Sequence, residues 1–94
     1  MNVSFHTDSD GELHISAHNV REVEVIEALS RPLEIVAGRD DSYTAIGRTR
    51  AGRLLKIIYT DAVDKDGIFV ITAFDLPRKQ EKALKRRLKR KNRL

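Results

Sequence analysis

Two arginines flank a short turn near the middle of the chain. Arg48 precedes and Arg53 follows the segment Thr49–Gly52, whose glycine is typical of a hairpin loop that needs a positive φ. Planar guanidinium groups bind phosphate oxygens through paired hydrogen bonds. One interpretation is therefore a phosphate site at this end of the hairpin. The other is that both are surface arginines beside a turn.

Proton transfer requires a different set of side chains. Cleavage of RNA without a metal ion needs a base for the 2′-hydroxyl, an acid for the leaving oxygen, and cations that stabilise charge on the phosphoryl oxygens. The candidates for proton transfer are His18, His14 and Tyr59. His18 immediately precedes a predicted helix, so it either acts as a base or packs on Val23 as a hydrophobic staple. His14 is expected to point to solvent, Tyr59 is otherwise a core or edge residue, and His6 has no evident partner.

The composition excludes several other kinds of site. The 94 residues include no cysteine, which excludes disulfides and thiolate metal sites or nucleophiles. The three histidines follow no recognised ligand spacing, and no phosphate-binding glycine loop is present. We therefore expect neither a metal ion nor a cofactor. No apolar run is long enough to span a membrane and no secretory signal is visible, which predicts a cytoplasmic protein without membrane contact.

Charge is unevenly distributed along the chain. The segment Pro77–Leu94 contains ten Lys/Arg and one acid, whereas the preceding residues contain eight Lys/Arg and thirteen acids. A basic arm on an acidic body indicates a polyanionic partner, which we take to be RNA. The alternatives are a solvated tail and an arm that binds an acidic protein. The cations expected to bind RNA phosphates are Arg78, Lys79, Lys82, Lys85, Arg86, Arg87, Lys89 and Arg90.

The residues that could form these sites must be positioned by a sheet. We predict an antiparallel meander of three strands, Tyr43–Arg48, Arg53–Thr60 and Ile68–Phe74. The second and third are apolar on both faces, so they should be central and covered on each side. A hairpin or pair of short strands over Met1–Ile15 and an edge strand at Leu33–Ala37 are expected as well.

Two helices are expected to cover the sheet. The first should begin at Asn19 as N-cap, with Glu22 completing an approximate capping box, and end before Pro32. Its predicted core stripe consists of apolar residues at helical spacing: Val20, Val23, Val25, Ile26 and Leu29. The second begins at Pro77, docks through Leu84 and Leu88, and is expected to fray over Lys89–Leu94. The chain is thus a single α+β domain, 1–94, whose residues 77–94 form a basic helical arm.

An ordered set of short segments resembles a known family. The set comprises His18 before an acidic helix, Ala45-Ile46-Gly47-Arg48-Thr49, Gly52-Arg53-Leu54, Tyr59-Thr60 and Ile71-Thr72-Ala73. Between His18 and Ala73 the chain resembles BrnT-type toxins of bacterial toxin–antitoxin pairs, which are relatives of the RelE/ParE-like ribonuclease toxins. The resemblance implies a RelE/ParE-like α+β fold with a central antiparallel sheet and metal-independent endoribonuclease activity. It also implies an antitoxin partner and an RNA substrate such as ribosome-associated mRNA.

The resemblance also assigns site residues. The catalytic positions that match are His18, Arg48 and Arg53, with Tyr59 as a weaker match. The chain departs from the family pattern at Ala17, where a basic residue is typical, and at Phe74, where an arginine is typical; Arg78 is the candidate to replace that arginine. The typical tryptophan-containing N-terminal segment is missing. The alternative function is therefore a non-catalytic nucleic-acid-binding or ribosome-binding module on the same scaffold.

Overall fold

The protein folds into a five-stranded mixed sheet with a helix packed on each face. The computed structural model of the chain describes residues 2–63 and 66–91. In chain order the elements are β1 (Asn2–Phe5), a 3₁₀ helix (His14–His18), α1 (Glu22–Ser30), β2 (Pro32–Ala37), β3 (Ser42–Arg48), β4 (Leu54–Asp61), β5 (Gly67–Asp75) and α2 (Arg78–Lys91). The strand order is β1-β5-β4-β3-β2. The predicted α+β class is confirmed.

The predicted meander is present as β3, β4 and β5. Its strands pair antiparallel, with Arg48 opposite Leu54 and Phe74 opposite Lys56. Gly52 closes the β3–β4 turn with φ 92° and donates from its backbone N–H to the carbonyl of Thr49 at 2.9 Å. The strand β2 lies at the edge of the sheet, as predicted, and pairs antiparallel with β3.

The N-terminal segment differs from its prediction. Residues 2–5 form one strand, which pairs parallel with β5 along the far edge of the sheet, so the sheet is mixed and not wholly antiparallel. The predicted partner strand is replaced by the 3₁₀ helix, and only an isolated bridge joins Thr7 to Leu13. The first strand and the turn of the prediction are thus present, whereas the second strand is wrong because the chain from His14 onward forms a 3₁₀ helix. Met1 lies outside the described residues.

The start of α1 also differs. Asn19 has φ 56° and ends the 3₁₀ helix, a left-handed conformation that asparagine tolerates well. The N-cap of α1 is Arg21, whose backbone N–H donates to the Glu24 carboxylate at 3.0 Å. The expected capping pair of Asn19 and Glu22 is thus wrong by two residues. The local signal was ambiguous because asparagine suits both an N-cap and a left-handed turn.

The buried face of α1 is set by its close approach to the sheet. Val25 and Ala28 are completely buried, whereas Val23 and Ile26 are 46% and 45% exposed. A Cβ built on Gly47 of β3 would lie 2.1 Å from the carbonyl oxygen of Ala28, so helix and strand meet backbone to backbone. The predicted stripe is therefore wrong at Val23 and Ile26. The side of α1 that faces the sheet is the one that carries Ala28, because only a small side chain allows so short a distance between the helix and β3.

The opposite face of the sheet is covered by α2. Leu84 is buried with Ile46 and Leu76, and three half-buried leucines pack around them: Leu33, Leu54 and Leu88. The helix continues through Lys91; the rest of the segment expected to fray, residues 92–94, lies outside the described residues. Within 2–63 and 66–91, no helix has the length and apolarity needed to cross a membrane.

Candidate nucleic-acid interface

Arg53 is engaged on three sides by the protein itself. Its Nε donates to Asp75 Oδ1 at 2.6 Å and its Nη2 to Asp75 Oδ2 at 3.2 Å. Its Nη1 donates to Glu24 Oε1 at 3.1 Å and to the backbone carbonyl of Asn19 at 2.8 Å. One side chain, from the residue before β4, thus connects the end of β5, α1 and the end of the 3₁₀ helix.

These contacts shift the pKa values of Arg53, Asp75 and Glu24. The hydrogen bond from Arg53 lowers the pKa of Asp75, and the same bond raises the pKa of Arg53. The pKa of Glu24 is lowered by the backbone N–H of Arg21 and then, against the cost of burial, by Arg53. Glu24 also lies 3.7 Å from Nε of Arg21, so two carboxylates face two guanidinium groups in this cluster. The guanidinium of Arg53 is occupied by these internal partners, which makes Arg53 a structural cross-link.

Arg48 lies on the other side of the sheet. It pairs across the ladder with Leu54, which belongs to the cluster beneath α2, whereas Arg53 contacts α1. Cross-strand partners project from the same face. The exposed Arg48 guanidinium donates to the Gly52 carbonyl at 3.0 Å. The structure therefore does not bring Arg48 and Arg53 together as one phosphate cradle.

Tyr59 packs against the main core beside α1. Its ring stacks on Tyr43 across the β3–β4 ladder, with centroids 5.4 Å apart and planes 26° from parallel. Burial, followed by the neighbouring Tyr43, raises the pKa of Tyr59 above its ordinary value. A phenol that acts as a general base requires a shift in the opposite direction. This geometry favours the alternative interpretation of Tyr59 as a core residue.

His18 belongs to a row of five rings at the edge of the sheet. Its centroid lies 5.8 Å from that of Phe74 and 5.4 Å from that of His14. The row continues from His14 to His6 at 5.7 Å and from His6 to Phe69 at 6.3 Å. We call these five residues the ring row. It brings all three histidines together.

An acidic residue lies beside the ring row. Asp8 Oδ1 is 3.0 Å from Nδ1 of His14 and 3.7 Å from Nε2 of His6. Among the described residues, no group of three or more side chains has the geometry to hold a metal ion. His6 has no partner that the sequence reveals, and the prediction that His14 points to solvent is wrong, because His14 is half-buried and contacts Asp8. The four-residue spacing of His14 and His18 was the available signal, whereas the position of His6 depends on the intervening turn.

The predicted phosphate-binding cations divide into two groups. Arg87 donates to both carboxylate oxygens of Glu34 in β2 at 2.7 and 2.8 Å, which lowers the pKa of Glu34, and Lys85 pairs with Glu81 at 3.4 Å. At 100° per residue, the remaining cations lie opposite the buried Leu84. All are exposed and, among the described residues, none has an ion-pair partner: Arg78, Lys79, Lys82, Arg86, Lys89 and Arg90. We call these six residues the basic face of α2.

The fold and these surfaces define an α+β protein with a mixed sheet, one helix embedded against it and one helix with a basic outer face. Comparisons with protein-family models, curated proteins and solved structures find no match for this chain.

Proposed function

We propose that this protein is an RNA-binding module that holds phosphates on the basic face of α2. The main support for the proposal is that the cations of this helix divide into paired and unpaired residues. Two cations are used in ion pairs, and the six of the basic face project to solvent without intramolecular partners among the described residues. Such a surface binds a polyanion by neutralising phosphates and releasing counterions.

The rest of the molecule favours one orientation of the polyanion. Residues before Pro77 hold thirteen acids against eight Lys/Arg, so they repel phosphate while the helix attracts it. The docking of α2 restricts its motion: Lys56 Nζ donates to Gln80 Oε1 at 2.9 Å near its start, and Arg87 binds Glu34 near its end. The basic face is therefore presented on a fixed helix about 18 Å long between Arg78 and Arg90.

Charge-removing substitutions on the basic face test this proposal. The variant combines Lys82→Gln, Arg86→Gln and Lys89→Gln, since glutamine retains helix propensity. Fluorescence anisotropy with labelled single-stranded RNA, measured across a salt series, should show at least tenfold weaker binding. The slope of log affinity against log salt should become shallower by roughly two, because each phosphate contact contributes about 0.7 on a single strand.

A matched control removes the same charge elsewhere. Arg31, Arg39 and Arg50 are exposed residues outside α2, and their combined replacement by glutamine lowers the net charge equally. This control should retain most of the RNA affinity and its salt slope. Equal loss in both variants would mean that net charge alone governs binding, and the basic face would not be the binding element.

A second candidate function is the metal-independent endoribonuclease implied by the toxin resemblance. The observation that favours it is the arrangement of Asp8, His14 and His18, in which a carboxylate contacts Nδ1 of one imidazole and a second imidazole lies 5.4 Å from the first. In the proposed step, one imidazole takes the proton of the 2′-hydroxyl as the 2′-oxygen bonds to phosphorus. The bond from phosphorus to the 5′-oxygen breaks, and a second, protonated imidazole protonates that oxygen.

Cleavage and toxicity assays test the second candidate. Purified protein should cut a labelled RNA strand in the presence of a chelator, and His18→Gln should remove the activity. Arg48→Ala should reduce it, because this candidate function assigns the exposed Arg48 guanidinium to the phosphate. Under this candidate, induced expression in bacteria arrests growth and a protein antitoxin relieves the arrest. Intact RNA and normal growth would eliminate it while leaving the binding proposal in place.

A further inference from the structure

The ring row lies on the same side of the sheet as α2. Phe74 is paired across the β4–β5 ladder with Lys56, and Lys56 donates to Gln80 in the first turns of α2. Cross-strand partners share a face. His18 contacts Phe74, so the histidines continue from that face toward the β1 edge. The ring row and the helix that carries the basic face are thus neighbours, with Lys56 between them.

No two neighbouring rings of the row are stacked face to face. The planes of neighbouring rings in the row meet at angles between 55° and 81°, whereas Tyr43 and Tyr59 lie nearly parallel and cover one another. His6 and His18 are exposed, and His14, Phe69 and Phe74 are half-buried. An exposed aromatic face without a parallel partner is a surface on which another flat ring can stack.

The charge around the row selects the kind of group that binds there. Asp8 contacts two of the histidines, and Asp10 and Glu12 lie in the same exposed turn. These carboxylates disfavour phosphate. A nucleobase is flat, carries no charge and stacks on any aromatic face, so it is compatible with this environment. Single strands expose their bases in this way, whereas a duplex keeps them stacked inside the helix.

We propose that the ring row is a base-stacking site for single-stranded RNA whose phosphates lie on the basic face of α2. The inference rests on the proposed function and adds to it a preference for single-stranded over double-stranded RNA. Lys56 lies between Phe74 and the first turns of α2, so a strand that leaves the rings meets the helix beside them. The protein therefore distinguishes single-stranded from double-stranded RNA through the rings, while the helix binds both.

The test compares ring removal with charge removal on two ligands. The ligands are a short single strand and a blunt duplex of the same sequence, both 2′-O-methylated so that neither can be cleaved. Phe74→Leu removes a ring while keeping an apolar side chain, and His18→Gln removes an exposed ring. Tyr43→Leu removes a ring from the stacked pair outside the row and serves as the matched control. Thermal melting verifies that each variant is folded.

The expected result is a loss specific to the single strand. Phe74→Leu and His18→Gln should each weaken single-strand binding about fivefold or more, with unchanged duplex affinity and unchanged salt slope, and Tyr43→Leu should affect neither ligand. Wild-type binding of the single strand by both folded ring variants, or an equal loss on the duplex, would overturn the base-stacking site. If the α2 triple variant binds both ligands as the wild type does, the proposed function fails independently of the ring result.

Discussion

The two faces of the sheet are covered by helices in different ways. On one face α1 approaches β3 so closely that Gly47 leaves no room for a Cβ against Ala28, and Arg53 joins the helix to the end of β5. On the other face α2 rests on a small leucine cluster and on long polar side chains that reach β2 and β4. On the α1 face, Arg53 is paired with carboxylates of the protein itself. On the α2 face, most of the cations remain exposed and can bind a ligand.

Residue type alone does not assign a binding role in this protein. Arg53 and Arg86 are both arginines in segments where phosphate binding is expected from the sequence. Arg53 faces two carboxylates and a backbone carbonyl, so its charge is neutralised internally. Arg86 has no ion-pair partner among the described residues and is exposed. The number of carboxylates within reach distinguishes a cross-link from a binding residue.

The largest effect is expected where α1 meets β3. Gly47→Ala places a Cβ 2.1 Å from the Ala28 carbonyl oxygen, and backbone atoms there cannot rotate away. We expect a loss of roughly 3 kcal/mol or more in the free energy of unfolding, measured by urea titration. The control is Gly38→Ala, whose nearest contact is the rotatable hydroxyl of Ser42 at 2.9 Å. Similar stability losses in the two variants would contradict the close approach of α1.

A smaller loss is expected for the cross-link on the same face. Arg53→Ala removes hydrogen bonds to Glu24 and Asp75 and leaves the Glu24 carboxylate, which is only 12% exposed, with Arg21 at 3.7 Å as its remaining cation. Because Asp75 is 67% exposed and regains water, we expect a loss of about 2 kcal/mol. Arg48→Ala, which removes an exposed contact to a turn carbonyl, should change stability by about 0.5 kcal/mol or less. Equal effects would show that Arg53 does not hold the two elements together.

Low pH should weaken the Arg53 cross-link, because it protonates the carboxylates that bind Arg53. The pKa values of Glu24 and Asp75 are lowered in the folded protein, so their contribution is fully present above their unfolded values near pH 4. It is lost as the pH falls through the folded values. Unfolding measured between neutral pH and pH 3 should therefore show a shallower acid dependence for Arg53→Ala than for the wild type. Parallel curves would contradict the assignment of this pairing.

The smallest effect is expected for the ion pair that docks α2. Arg87→Ala removes a bidentate contact to Glu34, but the leucine cluster remains. Hydrogen exchange should accelerate for amides of α2 while those of β4 and β5 stay protected, and global stability should fall less than in Arg53→Ala. Lys85→Ala, which removes the exposed pair within the helix, is the control. Unchanged exchange in α2 would mean that the leucines alone position the helix.

Regular patterns in the sequence predicted much of the architecture. The apolar runs of β4 and β5, the glycine turn between β3 and β4, the edge strand β2 and the docking of α2 through Leu84 follow from local composition and spacing. Helical spacing alone also separates the basic face of α2 from its buried side. The RNA ligand, the antitoxin partner and the toxin class remain predictions.

The partners of individual side chains depended on the tertiary structure. Arg53 meets Asn19 across 34 positions of sequence, β1 pairs with a strand near the other end of the chain, and His6 reaches His14 only through a turn. No local periodicity records such distances. The sequence by itself determined which segments are strands and helices and where positive charge accumulates, because those properties follow from neighbouring residues. The tertiary structure decided which arginine is neutralised and which rings come together, because packing brings distant residues into contact.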